Sequence, residues 1–125
     1  LFPRRDFTYI DDTISAYMQS IKLKKINGKI YNLGTNYDFS MKDILNIISK
    51  KLNYKPLISK DQQRLRPIKS EVNRLLSNNR LAIKELKWKP KFVGTKGFNI
   101  AIDKTIAWFS DTDNLKSYKY NIYNI

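Results

Sequence analysis

The sequence has no cysteine and no histidine. The first absence excludes disulfides and thiolate metal sites and agrees with a reducing, cytoplasmic location. The second removes the commonest general base and the commonest metal ligand, so a Ser-His-Asp or Cys-His nucleophile cannot be built and no metal site is expected. Glycine is scarce: Gly28, Gly34, Gly94 and Gly97 are the only four. No three of them have the spacing of a dinucleotide-binding turn. Gly94-Thr95-Lys96-Gly97 lacks the strand and the Lys-Ser/Thr pair of a phosphate loop, and reads as a turn before the last helix. No long apolar run is present, so no transmembrane helix and no membrane partner are expected. Arg4, Arg5 and Asp6 interrupt the opening residues before a signal peptide can form. The first residue is Leu1, not Met, which suggests a start inside a longer gene product.

Acidic residues are few as well. Eleven Asp and Glu stand against 24 Lys and Arg, a net charge of +13. Such a balance suits a polyanion: nucleic acid, a membrane surface or a phosphorylated ligand. The lysines are dispersed, however (Lys22, Lys29, Lys42, Lys55, Lys69, Lys84, Lys96, Lys119), and the abundance of Lys, Asn and Ile fits a compositional drift. A solvated basic surface is the favoured reading. Hydrophobic residues make up 42% of the 125, too many for a disordered chain and enough for one modest core.

Residues Arg5 to Ile10 read as an extended lead-in, after which Asp11 or Asp12 caps a helix. Ile14, Tyr17, Met18 and Ile21 recur on one face of that helix. Asn27-Gly28 closes it. Lys29 to Leu33 is a strand candidate ended by Gly34, and Asn36 to Asp38 form a turn. Ser40 and Asp43 have the spacing of a capping box. The helix after them carries Ile44, Leu45, Ile48 and Leu52 on one face, with Ile47 at its border, and stops at Asn53. Leu57 to Ser59 is a brief strand candidate, residues 60–69 a polar loop, and Val72 to Leu76 an extended piece. Ser77-Asn78 caps a short helix to about Lys87 with Leu81, Ile83 and Leu86 as its apolar residues. Thr95 starts the last helix, where Phe98, Ile102, Ile106 and Phe109 repeat. Trp88 and Trp108 are expected core anchors. The tail beyond Phe109 has no amphipathic period. The class is α/β, with three or four helices and strands too few and short for a sheet of their own. Residues 1–110 form one domain and 111–125 a polar Tyr/Asn/Lys tail.

Five pieces in one order carry a resemblance. They are Arg5-Asp6-Phe7-Thr8-Tyr9-Ile10-Asp11-Asp12; Tyr31-Asn32-Leu33-Gly34; Phe39-Ser40-Met41-Lys42-Asp43-Ile44; Arg64-Leu65-Arg66-Pro67 running on through Ser70-Glu71-Val72; and Leu86-Lys87-Trp88-Lys89-Pro90 with a helix ending Thr105-Ile106-Ala107-Trp108-Phe109. Together they resemble the extended short-chain dehydrogenase/reductase superfamily, and within it the NAD-dependent epimerase/dehydratase family, most nearly the sugar-nucleotide 4,6-dehydratases. The resemblance implies the C-terminal, substrate-binding part of a Rossmann-type enzyme, with the N-terminal dinucleotide-binding domain absent.

It also implies roles. Arg5 and Arg66 reach the substrate diphosphate, Asn32 hydrogen-bonds a phosphate or the sugar, and Glu71 contacts the nucleotide ribose. Guanidinium forks suit phosphate oxygens, and a carboxylate suits ribose hydroxyls. Read without the resemblance, Arg5 pairs with Asp6 or Asp11, Asn32 is a turn residue, Arg66 is a solvated cation and Glu71 pairs with a local lysine. The family's catalytic Tyr-x-x-x-Lys is missing, since none of the eight tyrosines has Lys at that offset. NAD(P) is therefore the cofactor of the intact enzyme and not of this chain, which is expected to be inactive alone. The implied partners are an NDP-sugar, the missing Rossmann domain and, in the intact enzyme, a second copy. Two rival readings stand beside this one. The first is a small basic nucleic-acid-binding module using Tyr118, Tyr120 and Tyr123 to stack on bases, although no sequence-reading motif is present. The second is a gene remnant without function.

Overall fold

The computed structural model describes residues 1–23, 28–59 and 72–116. Within them a short sheet is flanked by five helices. Strand β1 (Arg4–Asp6) is central, between β2 (Asp38–Ser40) and β3 (Arg74–Leu75). β1 pairs antiparallel with β2, placing Arg5 opposite Phe39, and parallel with β3, placing Arg5 opposite Leu75. The extended lead-in at Arg5 is thus the middle of the sheet. The expected turn at Asn36 exists, with Asn36 at φ 56°, but Asp38 belongs to β2.

Helix α1 (Ile10–Ile21) starts at Tyr9, which caps it without a side-chain bond. Asp11 or Asp12 was expected as the cap; both lie inside the first turn, where their charge still favours the helix N-terminus. Asp12 instead turns inward. Its two oxygens accept the backbone amides of Lys91 at 2.8 Å and Phe92 at 3.0 Å. That explains a carboxylate only 1% exposed: a buried carboxylate needs donors, and the loop before α4 supplies two.

The expected apolar face of α1 is present but is not the packed face. Ile14, Tyr17, Met18 and Ile21 are all exposed, and the helix buries Ala16 and Asp12. Ala16 joins Ala82, Leu86 and Trp88 in a core cluster, against which Leu23, Tyr31 and Leu33 pack. Trp88 is the anchor expected of it, with its indole N–H donating to the Asp12 carbonyl and to Ser15 Oγ, each at 2.9 Å. Trp108 is not an anchor: it is nearly half exposed and meets Phe109 edge-on.

Helix α2 (Met41–Leu52) bears out the capping box. The Asp43 amide donates to Ser40 Oγ at 3.0 Å and the Ser40 amide to Asp43 Oδ2 at 2.9 Å. Its stop at Asn53 is a left-handed residue at φ 48°. Helix α3 (Arg80–Leu86) starts later than Ser77-Asn78 suggested, behind Asn79; Asn78 still contributes by accepting the Arg80 amide. Leu86 is buried, whereas Leu81 and Ile83 are exposed.

Helix α4 (Gly94–Ser110) includes Gly94-Thr95-Lys96-Gly97, expected as a turn before it, and buries Phe98 and Ala101. Phe98 stacks on Phe39 of β2 with ring centres 4.0 Å apart, which ties the helix to the sheet. Helix α5 (Thr112–Lys116) places one helical turn inside the expected tail. Neither Lys29–Leu33 nor Leu57–Ser59 is a strand. For Lys29–Leu33 the physical reason is that no neighbouring strand lies beside it among the described residues. Side chains hold it instead: Glu85 of α3 accepts from Lys29 Nζ at 2.8 Å and from the Tyr31 hydroxyl at 2.6 Å.

Candidate functional site

Central strand β1 presents three consecutive polar side chains, and alternation sends Arg5 away from Arg4 and Asp6. Arg4 and Asp6 do structural work. Asp6 accepts the amides of Thr35 and Asn36, each at 2.9 Å, the Thr35 hydroxyl at 2.8 Å and the Ser77 amide at 3.3 Å. It thereby gathers the segment around Gly34 and the end of β3 beside β1. A side chain at Gly34 would collide with Ser77 and Asp6, so glycine is what allows this approach.

Arg4 donates to buried Asp38 of β2 at 2.7 Å, and Arg74 of β3 donates to the other oxygen of the same carboxylate. Asp38 thus clamps all three strands. The hydrogen bonds from Arg74 and then Arg4 hold its carboxyl below the usual carboxylate range, and the bond to Asp38 raises Arg4 further. Asp43 is lowered in turn by the Ser40 amide of the capping box. Sequence reasoning missed Asp38 and Arg74, because a clamp between residues 36 positions apart leaves no local pattern.

Arg5 does not pair with Asp6 or Asp11. Asp6 is committed as described, and Asp11 takes Lys104 at 3.1 Å. Nη1 of Arg5 donates to the carbonyls of Arg4 and Val72, both at 2.8 Å. Val72 is the first described residue after 60–71. Arg66 and Glu71 fall in that stretch and lie outside the described residues.

Asn32 is exposed and makes no hydrogen bond with Arg5. It opens onto a shallow polar pocket of about 400 Å³, shared with Asn78, Arg80, Leu81 and Lys84. Arg80 and Lys84 lie one turn apart on α3 and give this pocket positive charge. Neither was singled out in the sequence, although their spacing was visible there.

Gly97 is not placed to cradle a dinucleotide. A pyrophosphate cradle needs open space where a Cβ would stand, between a strand and a helix. At Gly97, on the first turns of α4, that space is filled: a Cβ would stand 2.3 Å from the Phe92 carbonyl carbon. The residues before α4 form no strand. Among the described residues, no cluster of carboxylates is arranged to hold a metal ion, and no helix is long and apolar enough to cross a membrane.

The chain is similar to known proteins over most of its length. The family profile of GDP-mannose 4,6 dehydratase matches residues 1–100. A dTDP-4-dehydro-6-deoxyglucose reductase of Escherichia coli is 31% identical over 103 residues, covering 82% of this chain and 30% of the reductase. A crystal structure of UDP-glucuronic acid 4-epimerase from Bacillus cereus, in complex with NAD, shares the fold at TM-score 0.54 and 23% identity, over 80% of this chain and 29% of the epimerase. The chain thus spans under a third of the length of each relative. It belongs to the GDP-mannose 4,6-dehydratase family, among the NAD-dependent sugar-nucleotide epimerases and dehydratases of the extended short-chain dehydrogenase/reductase superfamily, and corresponds to their C-terminal part.

Proposed function

We propose that this chain is the substrate-binding portion of an NAD-dependent sugar-nucleotide epimerase or 4,6-dehydratase, and that it holds the diphosphate of an NDP-sugar. The observation that carries the reading is the position of Arg5. It sits at the centre of the sheet, on the side opposite the Asp6 hub, with Nη1 fixed by two carbonyls. A guanidinium oriented by backbone acceptors loses little freedom when it binds phosphate oxygens. One of those carbonyls belongs to Val72, the first described residue after 60–71. Arg66 and Glu71 are the second phosphate ligand and the ribose ligand in this reading. Asn32, beside Arg80 and Lys84, contributes a polar contact from the pocket next to α3.

The reacting sugar is oxidised in such enzymes by NAD, and Gly97 leaves no room for a pyrophosphate. The chain's own part is to bind and orient. NAD and the acid/base residues belong to the remaining part of the enzyme, so the chain alone turns over no substrate. A dedicated nucleic-acid role is disfavoured by the charge distribution. Lys29, Lys51, Lys104 and Lys116 each face a carboxylate, and three of these pairs join separate parts of the chain.

Calorimetric titration with UDP-, GDP- and dTDP-sugars tests the reading. One of the three should bind, and Arg5→Ala should weaken it about tenfold or more, with Arg5→Lys recovering only part, since lysine keeps the charge but not the fork. Equal affinity in all three proteins sinks the assignment of Arg5. Turnover at the level of a complete enzyme sinks the division of labour.

A further inference from the structure

Asp38 and Arg5 belong to opposite faces of the sheet. The side chains of Arg4, Asp38 and Arg74 meet on one face. Arg5, the next residue along β1, projects from the other, where its register partners are Phe39 and Leu75. An effect of Asp38 on Arg5 therefore has to travel through the strands.

The route is short. Nη1 of Arg5 is aimed by two carbonyls, those of Arg4 and Val72, each 2.8 Å away. The first lies in β1 and the second just ahead of β3. Asp38 secures both. One of its carboxylate oxygens takes Arg4 Nε at 2.7 Å, and its carbonyl takes Arg4 Nη2 at 2.9 Å. Its other carboxylate oxygen takes Nε of Arg74, two residues after Val72. The Arg4 amide, donating to the Asn73 carbonyl at 2.8 Å, closes the bracket between the two strands. Each oxygen of one carboxylate thus holds one of the two backbone segments that aim Arg5. The strands need such a hold. β1 has three residues and β3 two, and ladders this short restrain register weakly. A carboxylate only 6% exposed and shared by two guanidinium groups is a strong and directional restraint.

Resting on the diphosphate reading above, we infer that Asp38 is the positioning residue for the Arg5 guanidinium and, through it, for the phosphate of an NDP-sugar. Asp38 touches no substrate. It keeps the Arg4 and Val72 carbonyls where they fix Nη1, so Arg5 meets phosphate oxygens already oriented. The sign of one effect separates this role from plain electrostatics. Asp38→Asn removes a negative charge near an anion site, and Coulomb attraction alone then tightens binding. Loss of positioning weakens it, because Arg5 gains rotational freedom that binding must remove.

Two measurements test this. NMR of labelled guanidinium nitrogens in the substrate-free chain reads rotation about the Arg5 Cζ–Nη1 bond. Calorimetry with UDP-glucose, GDP-mannose and dTDP-glucose reads affinity. In Asp38→Asn the rotation should quicken about tenfold, and the sugar nucleotide that binds should bind about two- to tenfold more weakly. In an Arg5→Ala background Asp38→Asn should weaken binding no further. Trp88→Phe, a change outside the sheet, should lower stability and move neither readout. Arg74→Gln keeps the test open where Asp38→Asn does not fold, since the Arg74 side chain is 62% exposed. It releases the Val72 side alone and is read by rotation only, because it also removes a cation. Rotation should quicken in Arg74→Gln and return most of the way in Arg74→Lys, which keeps a donor for Asp38.

Three results overturn the inference. They are Arg5 rotation unchanged in the folded variants, tighter binding in Asp38→Asn, and equal weakening by Asp38→Asn with and without Arg5. The two readings fail separately. Quickened rotation in Asp38→Asn, with affinity indifferent to Arg5→Ala, sinks the diphosphate reading and leaves Asp38 as the residue that positions Arg5. Weaker binding in Arg5→Ala, with rotation unmoved by Asp38→Asn, sinks the positioning role alone.

Discussion

Trp88 and Asp12, 76 residues apart in sequence, are joined by a 2.9 Å hydrogen bond from the indole N–H to the Asp12 carbonyl. Both are buried almost completely. The Asp12 side chain continues the junction by accepting two amides just beyond Trp88. One turn of α1 and one loop before α4 are therefore fixed to each other through a single residue. This junction holds the N-terminal and C-terminal halves of the described chain in one body.

Loss of the Asp12 carboxylate should be among the most damaging single changes. In Asp12→Ala two part-buried amides lose their acceptor, at a cost of roughly 1–3 kcal/mol. Asp12→Asn keeps one oxygen and should cost about half as much. Urea denaturation followed by circular dichroism reads both. Equal midpoints for the wild type and Asp12→Ala would show that the junction contributes nothing.

Trp88 tests the same junction from the other side. Trp88→Phe preserves most of the packed ring but removes the donor, and should cost roughly 1–2 kcal/mol. Trp88→Ala adds a cavity and should cost roughly 3–5 kcal/mol. Similar losses in the two variants would mean that the hydrogen bonds, and not the ring volume, are what matters there.

Acid should loosen the sheet. Asp38 has its carboxyl lowered by Arg74 and Arg4, so in the pH interval between its folded value and the ordinary value near 3.9 the unfolded chain binds more protons than the folded one. The stabilisation is therefore fully present above the ordinary value and is lost as pH falls through the depressed folded value. Asp43 and Glu85 are lowered as well and share in the loss. Thermal midpoints measured between pH 6 and pH 2 should decline below about pH 4. Asp38→Asn should make that decline shallower while lowering the midpoint at neutral pH. An unchanged acid limb in Asp38→Asn would remove Asp38 from the account.

Features written in local spacing were legible in the sequence. The Ser40–Asp43 capping box and the left-handed stop at Asn53 need only neighbouring residues, and both are present. Features that depend on distant partners were not. Asp12 looked like a cap because caps are acidic, but its partners are 79 and 80 residues away. The α1 stripe looked like a core face because periodicity reports amphipathicity and not what covers it. Lys29–Leu33 has the composition of a strand and, among the described residues, lacks the neighbour that would make it one. Of the candidate site, Arg5 and Asn32 could be located and partly explained, whereas Arg66 and Glu71 lie outside the described residues. The Asp38 clamp that sets the strands around Arg5 had no signature at all.

The two glycines that open α4 should respond to alanine for different reasons. Gly94 has φ +63°, and a Cβ there meets nothing within 4 Å. Gly94→Ala should cost only the left-handed backbone penalty, about 1–2 kcal/mol. Gly97 lies three residues on, in ordinary helical conformation, where alanine normally gains about 1 kcal/mol over glycine. Here the sign should reverse. Its Cβ would stand 2.3 Å from the Phe92 carbonyl carbon and 2.7 Å from the Phe92 Cα, and backbone atoms cannot turn aside as a side chain can. Relief requires α4 to lift from the loop that Asp12 holds, so the lost packing should exceed the helical gain and leave a net cost of roughly 1–3 kcal/mol. The double variant Asp12→Ala, Gly97→Ala separates the two contributions. With the loop released from Asp12, the added cost of Gly97→Ala should fall, giving a double-mutant coupling of about 0.5 kcal/mol or more. Strict additivity would mean that the loop yields to Gly97→Ala without disturbing the Asp12 bonds.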